Sequence, residues 1–237
     1  MPLAPPYFKV MKQVNAAGPA VLGRDLPGLK SFTARQLHDR VCDDCLVLDV
    51  RNKEAFATAH VPGAINIPFG PNLPTWAGWV LPYDKRLLVV PNSADEMPQV
   101  VTHLIRVGLD KIEGYLDEAM YQWESLGFEI SQLGSISAPE LARRLDGPAA
   151  ERPFVLDVRT EREWNTGHID GAVHIHGGVL KDQFHQVPRD RPIAVVCGSG
   201  YRGSIAASFL KRQGYDDVTN VLGGMAAWNS AELPKVR

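Results

Sequence analysis

Apolar residues in this chain gather in short runs bounded by polar and helix-breaking positions, and the runs come in pairs. Leu46-Val-Leu-Asp-Val-Arg51 returns as Phe154-Val-Leu-Asp-Val-Arg159, and Leu87-Leu-Val-Val90 as Ile193-Ala-Val-Val196. Runs this short, with turn-forming neighbours, predict buried strands. Between Ser204 and Gln213, by contrast, Ile205, Ala206, Phe209 and Leu210 recur at helical spacing and Gly214 supplies a stop, which predicts a helix. Strands alternating with helices predict an α/β fold: an open, mainly parallel sheet flanked by helices, with ligand sites outside the carboxyl ends of its strands.

The pairing runs through nearly everything after residue 30. His60-Val-Pro-Gly-Ala-Ile-Asn-Ile67 answers to His168-Ile-Asp-Gly-Ala-Val-His-Ile175, Val107-Gly108 to Gln213-Gly214, and Trp123 to Trp228. Two homologous domains follow from such a repeat. Ser31-Phe-Thr-Ala-Arg-Gln-Leu37 and Ser135-Ile-Ser-Ala-Pro-Glu-Leu141 mark their starts, because Thr33 and Ser137 precede Gln36 and Glu140 by the three positions of a capping box. The expected division is an N-terminal arm over 1–30, a first domain over 31–130 and a second over 135–237.

Composition narrows the function. The 237 residues are 45% hydrophobic and 22% charged, with a net charge of -2, so no basic field exists to collect nucleic acid or anionic lipid. No segment approaches about 18 uninterrupted apolar residues, and the start has no apolar run fit for a signal peptide. A cytoplasmic protein away from membranes is expected. Its three cysteines are too few for a disulfide framework, which leaves thiols free for chemistry.

Cys197-Gly-Ser-Gly-Tyr-Arg202-Gly-Ser follows one predicted strand and opens the predicted helix, so successive N–H groups can curl around one point as an anion nest. A sulfur at its centre is expected to be ionised readily, by those N–H groups, the helix dipole and the guanidinium of Arg202. Gly198, Gly200 and Gly203 suit the positive φ angles of so tight a loop.

The second domain therefore resembles the rhodanese family, whose active loop reads Cys-x-x-Gly-x-Arg and is matched by Cys197, Gly200 and Arg202. The resemblance extends to Asp157-Val-Arg159, to Gly167-His168-Ile-x-Gly171-Ala172 and to Leu222-Gly-Gly-Met-Ala-Ala-Trp228. It implies two rhodanese-like domains and a sulfurtransferase. Cys197 takes sulfur from a donor such as thiosulfate or glutathione persulfide, becomes a persulfide, and yields that sulfur to a thiophilic acceptor. Cys197 and Arg202 are then the catalytic pair, with Gly198, Ser199, Gly200, Tyr201, Gly203 and Arg159 on the substrate side. Two alternatives stay open. One is a persulfide carrier or docking module without turnover; the other is a related dual-specificity phosphatase, disfavoured because its loop is one residue longer. In the first domain Pro91 stands where Cys197 does, followed by Asn92-Ser-Ala-Asp-Glu-Met97, so that copy is expected to be silent.

Other residues admit two readings each. Cys42-Asp-Asp-Cys45 has the spacing of a redox or half-zinc motif, against a plain structural role. His60 and His168 recur together, which favours support of the turns at Gly63 and Gly171. His174 and His176 could share a face, but no third ligand is evident. Arg159 could attract an anionic donor or pair with Asp157, and Trp76 and Trp79 read as core or interface.

The arm, Pro5-Pro-Tyr-Phe-Lys-Val-Met-Lys-Gln-Val-Asn15 with Gly18-Pro19 and Leu22-Gly23, lies outside the repeat. With Trp76-Ala-Gly-Trp79, it resembles the join in fusion proteins that place a metallo-β-lactamase domain of the persulfide dioxygenase type before two rhodanese domains. Such a domain is the implied partner, with a small thiol as acceptor. No His-x-His-x-Asp-His motif is present, so no metal and no other cofactor is expected.

Overall fold

The computed structural model describes residues 4–18, 26, 29–118 and 120–237, so the expected joins at Pro19 and at Leu22-Gly23 lie outside the described residues. The chain divides into two compact units, Met1–Ser131 and Gln132–Arg237.

Unit 1 runs α1 (Tyr7–Ala17), β1 (Ser31–Phe32), α2 (Ala34–His38), β2 (Cys45–Asp49), α3 (Lys53–Thr58), β3 (Ile65–Asn66), α4 (Leu73–Val80), β4 (Arg86–Val90), α5 (Met97–Ile105), β5 (Ile112–Leu116) and α6 (Met120–Ser125). Unit 2 repeats the order with β6 (Gly134–Ile136), α7 (Ala138–Asp146), β7 (Phe154–Asp157), α8 (Glu161–Asn165), β8 (Val173–His174), α9 (Leu180–Gln183), β9 (Ile193–Val196), α10 (Tyr201–Arg212), β10 (Val218–Val221) and α11 (Gly224–Ser230). Each unit holds one five-stranded sheet, in order β1-β5-β4-β2-β3 and β6-β10-β9-β7-β8, with every pairing parallel.

Parallel strands covered on both faces read as continuous apolar runs, and every residue of β2 and β9 is buried. Helix α10 is unusual in being buried all along Gly203–Leu210, as expected of a helix laid against a sheet with other elements over it. It begins at Tyr201, three residues before the apolar periodicity, because the left-handed turn at Gly200 leads straight into it. Trp123 and Trp228 are both nearly fully buried, and each indole N–H donates to a carbonyl six residues on, Glu129 at 2.8 Å and Pro234 at 2.9 Å.

Thr33 and Gln36 form the expected capping box. In the second copy only half of it forms: Ser137 Oγ accepts the Glu140 N–H at 3.3 Å, while the Glu140 carboxylate turns to Arg143 and Arg144. His60 and His168 share one role in the two copies of the fold. Each stacks on the aromatic ring four residues earlier, Phe56 and Trp164, and places Nδ1 against that residue's carbonyl, at 2.8 and 3.4 Å. They fasten the preceding helix, and their backbones pair with Ser131 and Val236.

The arm is no loose tether where it is described. Its helix α1 packs inside unit 1, the Tyr7 ring lying where a side chain on Gly78 would stand, and Val10 and Met11 lying against Gly108. Trp79 is buried in α4 and Trp76 half-buried.

Candidate active site

In unit 2 the chain leaves β7 for β8 on one side and returns through β9 to β10 on the other. The strand order therefore reverses between β7 and β9, the place where open α/β sheets put their ligands. Two loops leave the carboxyl ends there: Val158–Thr160 after β7, and Cys197–Gly200 between β9 and α10.

Cys197 is 1% exposed, and the Gly200 N–H donates to its Sγ at 3.1 Å. Gly200 has φ +89°, the left-handed region that glycine enters without strain, and this turn brings the amide round to the sulfur. Of the three glycines expected at positive φ, only Gly200 has it. Gly203 is required for another reason: it lies in α10 where a Cβ would collide with Asn220 Oδ1, and Gly198 lies beneath the Arg202 Nη2. The loop is held from outside as well. The Cys197 and Gly198 carbonyls accept the N–H groups of Met225 and Ala226, at 2.7 and 2.9 Å, and the Gly200 carbonyl accepts Asn220 Nδ2 at 3.0 Å. Asn220 and the first turn of α11 were not legible as site residues, since only the fold brings them there.

Arg202 has a partner that the loop sequence does not name. Its guanidinium forms a fork on Glu163, Nη1 to Oε2 at 2.7 Å and Nη2 to Oε1 at 2.6 Å; the sulfur is not its hydrogen-bond partner. Arg202 hydrogen bonds above all hold the Glu163 carboxyl at about 2, and Glu163 in turn raises Arg202, with a smaller contribution from the charge of Cys197. Glu163 also completes a capping box with Thr160 at the start of α8. The Thr-x-x-Glu signal at 160–163 was available in the sequence; its second use as the partner of Arg202 was not.

Arg159 is buried, and all three of its guanidinium nitrogens are engaged: Nε with Asp157 at 2.9 and 3.0 Å, Nη1 with the Glu163 carbonyl at 3.1 Å, Nη2 with the Gly167 carbonyl at 2.9 Å. Arg51 makes the matching bonds to Asp49 and the Ala59 carbonyl in unit 1. A guanidinium so occupied builds the frame, the second of the two readings its sequence position admits.

Tyr201 is half-buried at the start of α10, and burial pushes its phenol up to about 12, so it presents a neutral ring. Ser199 is exposed. His174 and His176 do separate work. His174 Nε2 lies 2.8 Å from the Arg159 carbonyl, whereas His176 Nδ1 accepts the Gly178 N–H at 3.2 Å. Burial first, then the charge of Arg202, holds His176 below the usual imidazole range. Among the described residues no group of three or more His, Cys, Asp or Glu is arranged to hold a metal, and no helix is long and apolar enough to cross a membrane.

In unit 1, Asp49 pairs with Val90 as Asp157 pairs with Val196, which puts Pro91 at the position of Cys197. Proline has no N–H to offer an anion. Asn92 ties the loop down, accepting the Asn52 N–H and donating to Glu96, and Asp117 and Glu118 line the adjoining cavity.

A five-stranded parallel α/β unit used twice, with a cysteine loop at the switch point of one copy, defines a tandem protein whose two copies differ at that loop. The chain belongs to the rhodanese-like domain family, whose model matches residues 33–126 and 137–231. Similar curated proteins include the thiosulfate sulfurtransferase GlpE of Shewanella oneidensis, 33% identical over 102 residues, which are 43% of this chain and 98% of that protein. A sulfurtransferase of Allochromatium vinosum is 32% identical over 44% of this chain and 95% of its own. The GlpE of Pseudomonas aeruginosa strain LESB58 is 36% identical over 39% of this chain and 82% of its own.

Proposed function

We propose that unit 2 is an active sulfurtransferase of the thiosulfate sulfurtransferase type and that Cys197 is its nucleophile. The Cys197 thiolate attacks the outer sulfur of a donor such as thiosulfate or glutathione persulfide. The bond to the donor breaks, sulfite or glutathione thiolate leaves with the electron pair, and Cys197 carries a persulfide. A thiophilic acceptor, cyanide or a thiol, then attacks the outer sulfur and the Cys197 thiolate departs. The observation that carries this reading is the Gly200 N–H aimed at Sγ, since a fixed main-chain donor stabilises a sulfur anion without reorganisation. Gly198, Ser199 and Tyr201 are the proposed contacts for the donor, and Arg202, balanced by Glu163, keeps the loop closed.

Release of thiocyanate from thiosulfate and cyanide tests the proposal, with hydrolysis of an aryl phosphate run in parallel. Thiocyanate without phosphate release is expected, and Cys197→Ser should reduce it to background. Activity surviving that substitution removes Cys197 from the role; phosphate release without thiocyanate removes the reaction.

The narrower reading joins this chain to a metallo-β-lactamase-type persulfide dioxygenase domain, with glutathione or another small thiol as acceptor. Its support is the sequence of the arm and of Trp76-Ala-Gly-Trp79, two segments that meet where Tyr7 packs on Gly78. Kinetics in which no small thiol is used above background remove it. The cytoplasm, where thiols stay reduced, is the proposed setting.

A further inference from the structure

We infer that Cys42 and Cys45 form a second site, a redox-active dithiol that closes reversibly to a disulfide by exchange with a low-molecular-weight disulfide. Transfer at Cys197 makes no use of them, and they lie in the unit whose own loop carries Pro91. A plain structural role accounts for Cys45, which is buried at the start of β2, but not for its neighbour, which is exposed.

Residues 42–45 form a turn closed by the Cys45 N–H on the Cys42 carbonyl at 2.9 Å. Such a turn keeps its end Cα atoms within about 7 Å, the span a disulfide bridges. The two sulfurs are already 2.8 Å apart. Arg86, opposite Cys45 in the sheet, is steadied by Asp44 and Glu113 and points Nη2 at Cys42 Sγ from 3.5 Å. The two thiols differ accordingly: the hydrogen bond between them, with help from Arg86, holds Cys42 below the ordinary thiol value, while burial pushes Cys45 up to about 11. An exposed, readily ionised sulfur beside a buried one is the arrangement thiol–disulfide exchange needs.

The Cys42 thiolate attacks one sulfur of the small disulfide, whose S–S bond breaks and whose other half leaves as a thiolate that takes up a proton. Cys45 passes its proton to solvent and attacks Cys42 Sγ. The second small thiol departs, leaving Cys42–Cys45 oxidised and the small disulfide reduced to two thiols.

Glutathione disulfide is a suitable probe on the full chain, because trypsin releases both cysteines on one peptide, Val41–Arg51, and Cys197 on another. After treatment and alkylation, the wild-type Val41–Arg51 peptide should lose two hydrogens without retaining glutathione, and excess reduced glutathione should restore it. Cys45→Ser should trap one glutathione on Cys42, and Cys42→Ser should slow modification of this peptide at least tenfold. A wild-type peptide that stays fully reduced at a glutathione disulfide excess that oxidises a free dithiol overturns the inference, as does glutathione trapped on Cys45 in preference to Cys42. Thiocyanate release is read separately, so the fate of the Cys197 proposal does not decide this one.

Discussion

Arg202 and Glu163 face each other across the mouth of the cysteine loop in a two-pronged ion pair of 2.7 and 2.6 Å, although 39 residues separate them. The same Glu163 carboxylate closes the first turn of α8 through Thr160, and its carbonyl accepts Arg159. One side chain thus joins the first turn of α10 to the loop after β7. The loop arginine acts through a carboxylate that fixes its position, so its charge near the sulfur is partly neutralised.

Glu163→Gln keeps the shape and removes the charge. Lowering a carboxyl from 4.5 to about 2 stabilises the fold above the unfolded value, and that contribution is lost as pH falls from about 5 to 2. With a third of the side chain exposed, screening leaves about 1–2 kcal/mol. Urea unfolding should show the variant weaker by that amount at pH 7 and declining less steeply between pH 5 and 2. Glu140, held near 2 by Arg143 and Arg144, declines over the same window in both proteins, so the difference between them is the measured quantity. Equal stability at pH 7 and equal slopes contradict the role given to Glu163.

Gly203→Ala places a methyl group against Asn220 Oδ1, and Asn220 is the residue whose amide holds the Gly200 carbonyl. Overpacking of this kind costs roughly 1–3 kcal/mol. Thiocyanate release should fall at least tenfold while the circular dichroism spectrum stays that of the wild type. Full activity in this variant indicates that the loop does not depend on Asn220.

A cysteine alone should not make unit 1 a transferase. The double variant Pro91→Cys, Cys197→Ser is expected to release no more thiocyanate than Cys197→Ser, because the loop after β4 has neither the left-handed glycine nor the arginine fork. Transfer restored by the new cysteine refutes the claim that the nest is needed.

Much of this was legible in the sequence because a repeat reports the same fold twice. The paired strand runs marked β2, β4, β7 and β9, and Cys197-x-x-Gly200-x-Arg202 marked the loop and the turn that aims its amide. What the sequence left unread depends on contacts between distant segments. Glu163 reads only as a helix cap, Asn220 and Met225 sit among ordinary strand and helix residues, and only the sheet order brings all three to the loop. Arg159 admitted two readings because the edge where ligands bind is also where the sheet must be tied together. The Cys42–Cys45 spacing was visible, but the burial of one sulfur and the approach of Arg86 to the other were not.

The measurement that bears most directly on the account is the mass of the Asp190–Arg202 tryptic peptide, which carries Cys197, after brief treatment of the protein with thiosulfate. A gain of one sulfur atom on Cys197, removed by cyanide in step with thiocyanate release, is the predicted result. A peptide of unchanged mass while thiocyanate is being formed, or the added sulfur found only on Val41–Arg51, contradicts it.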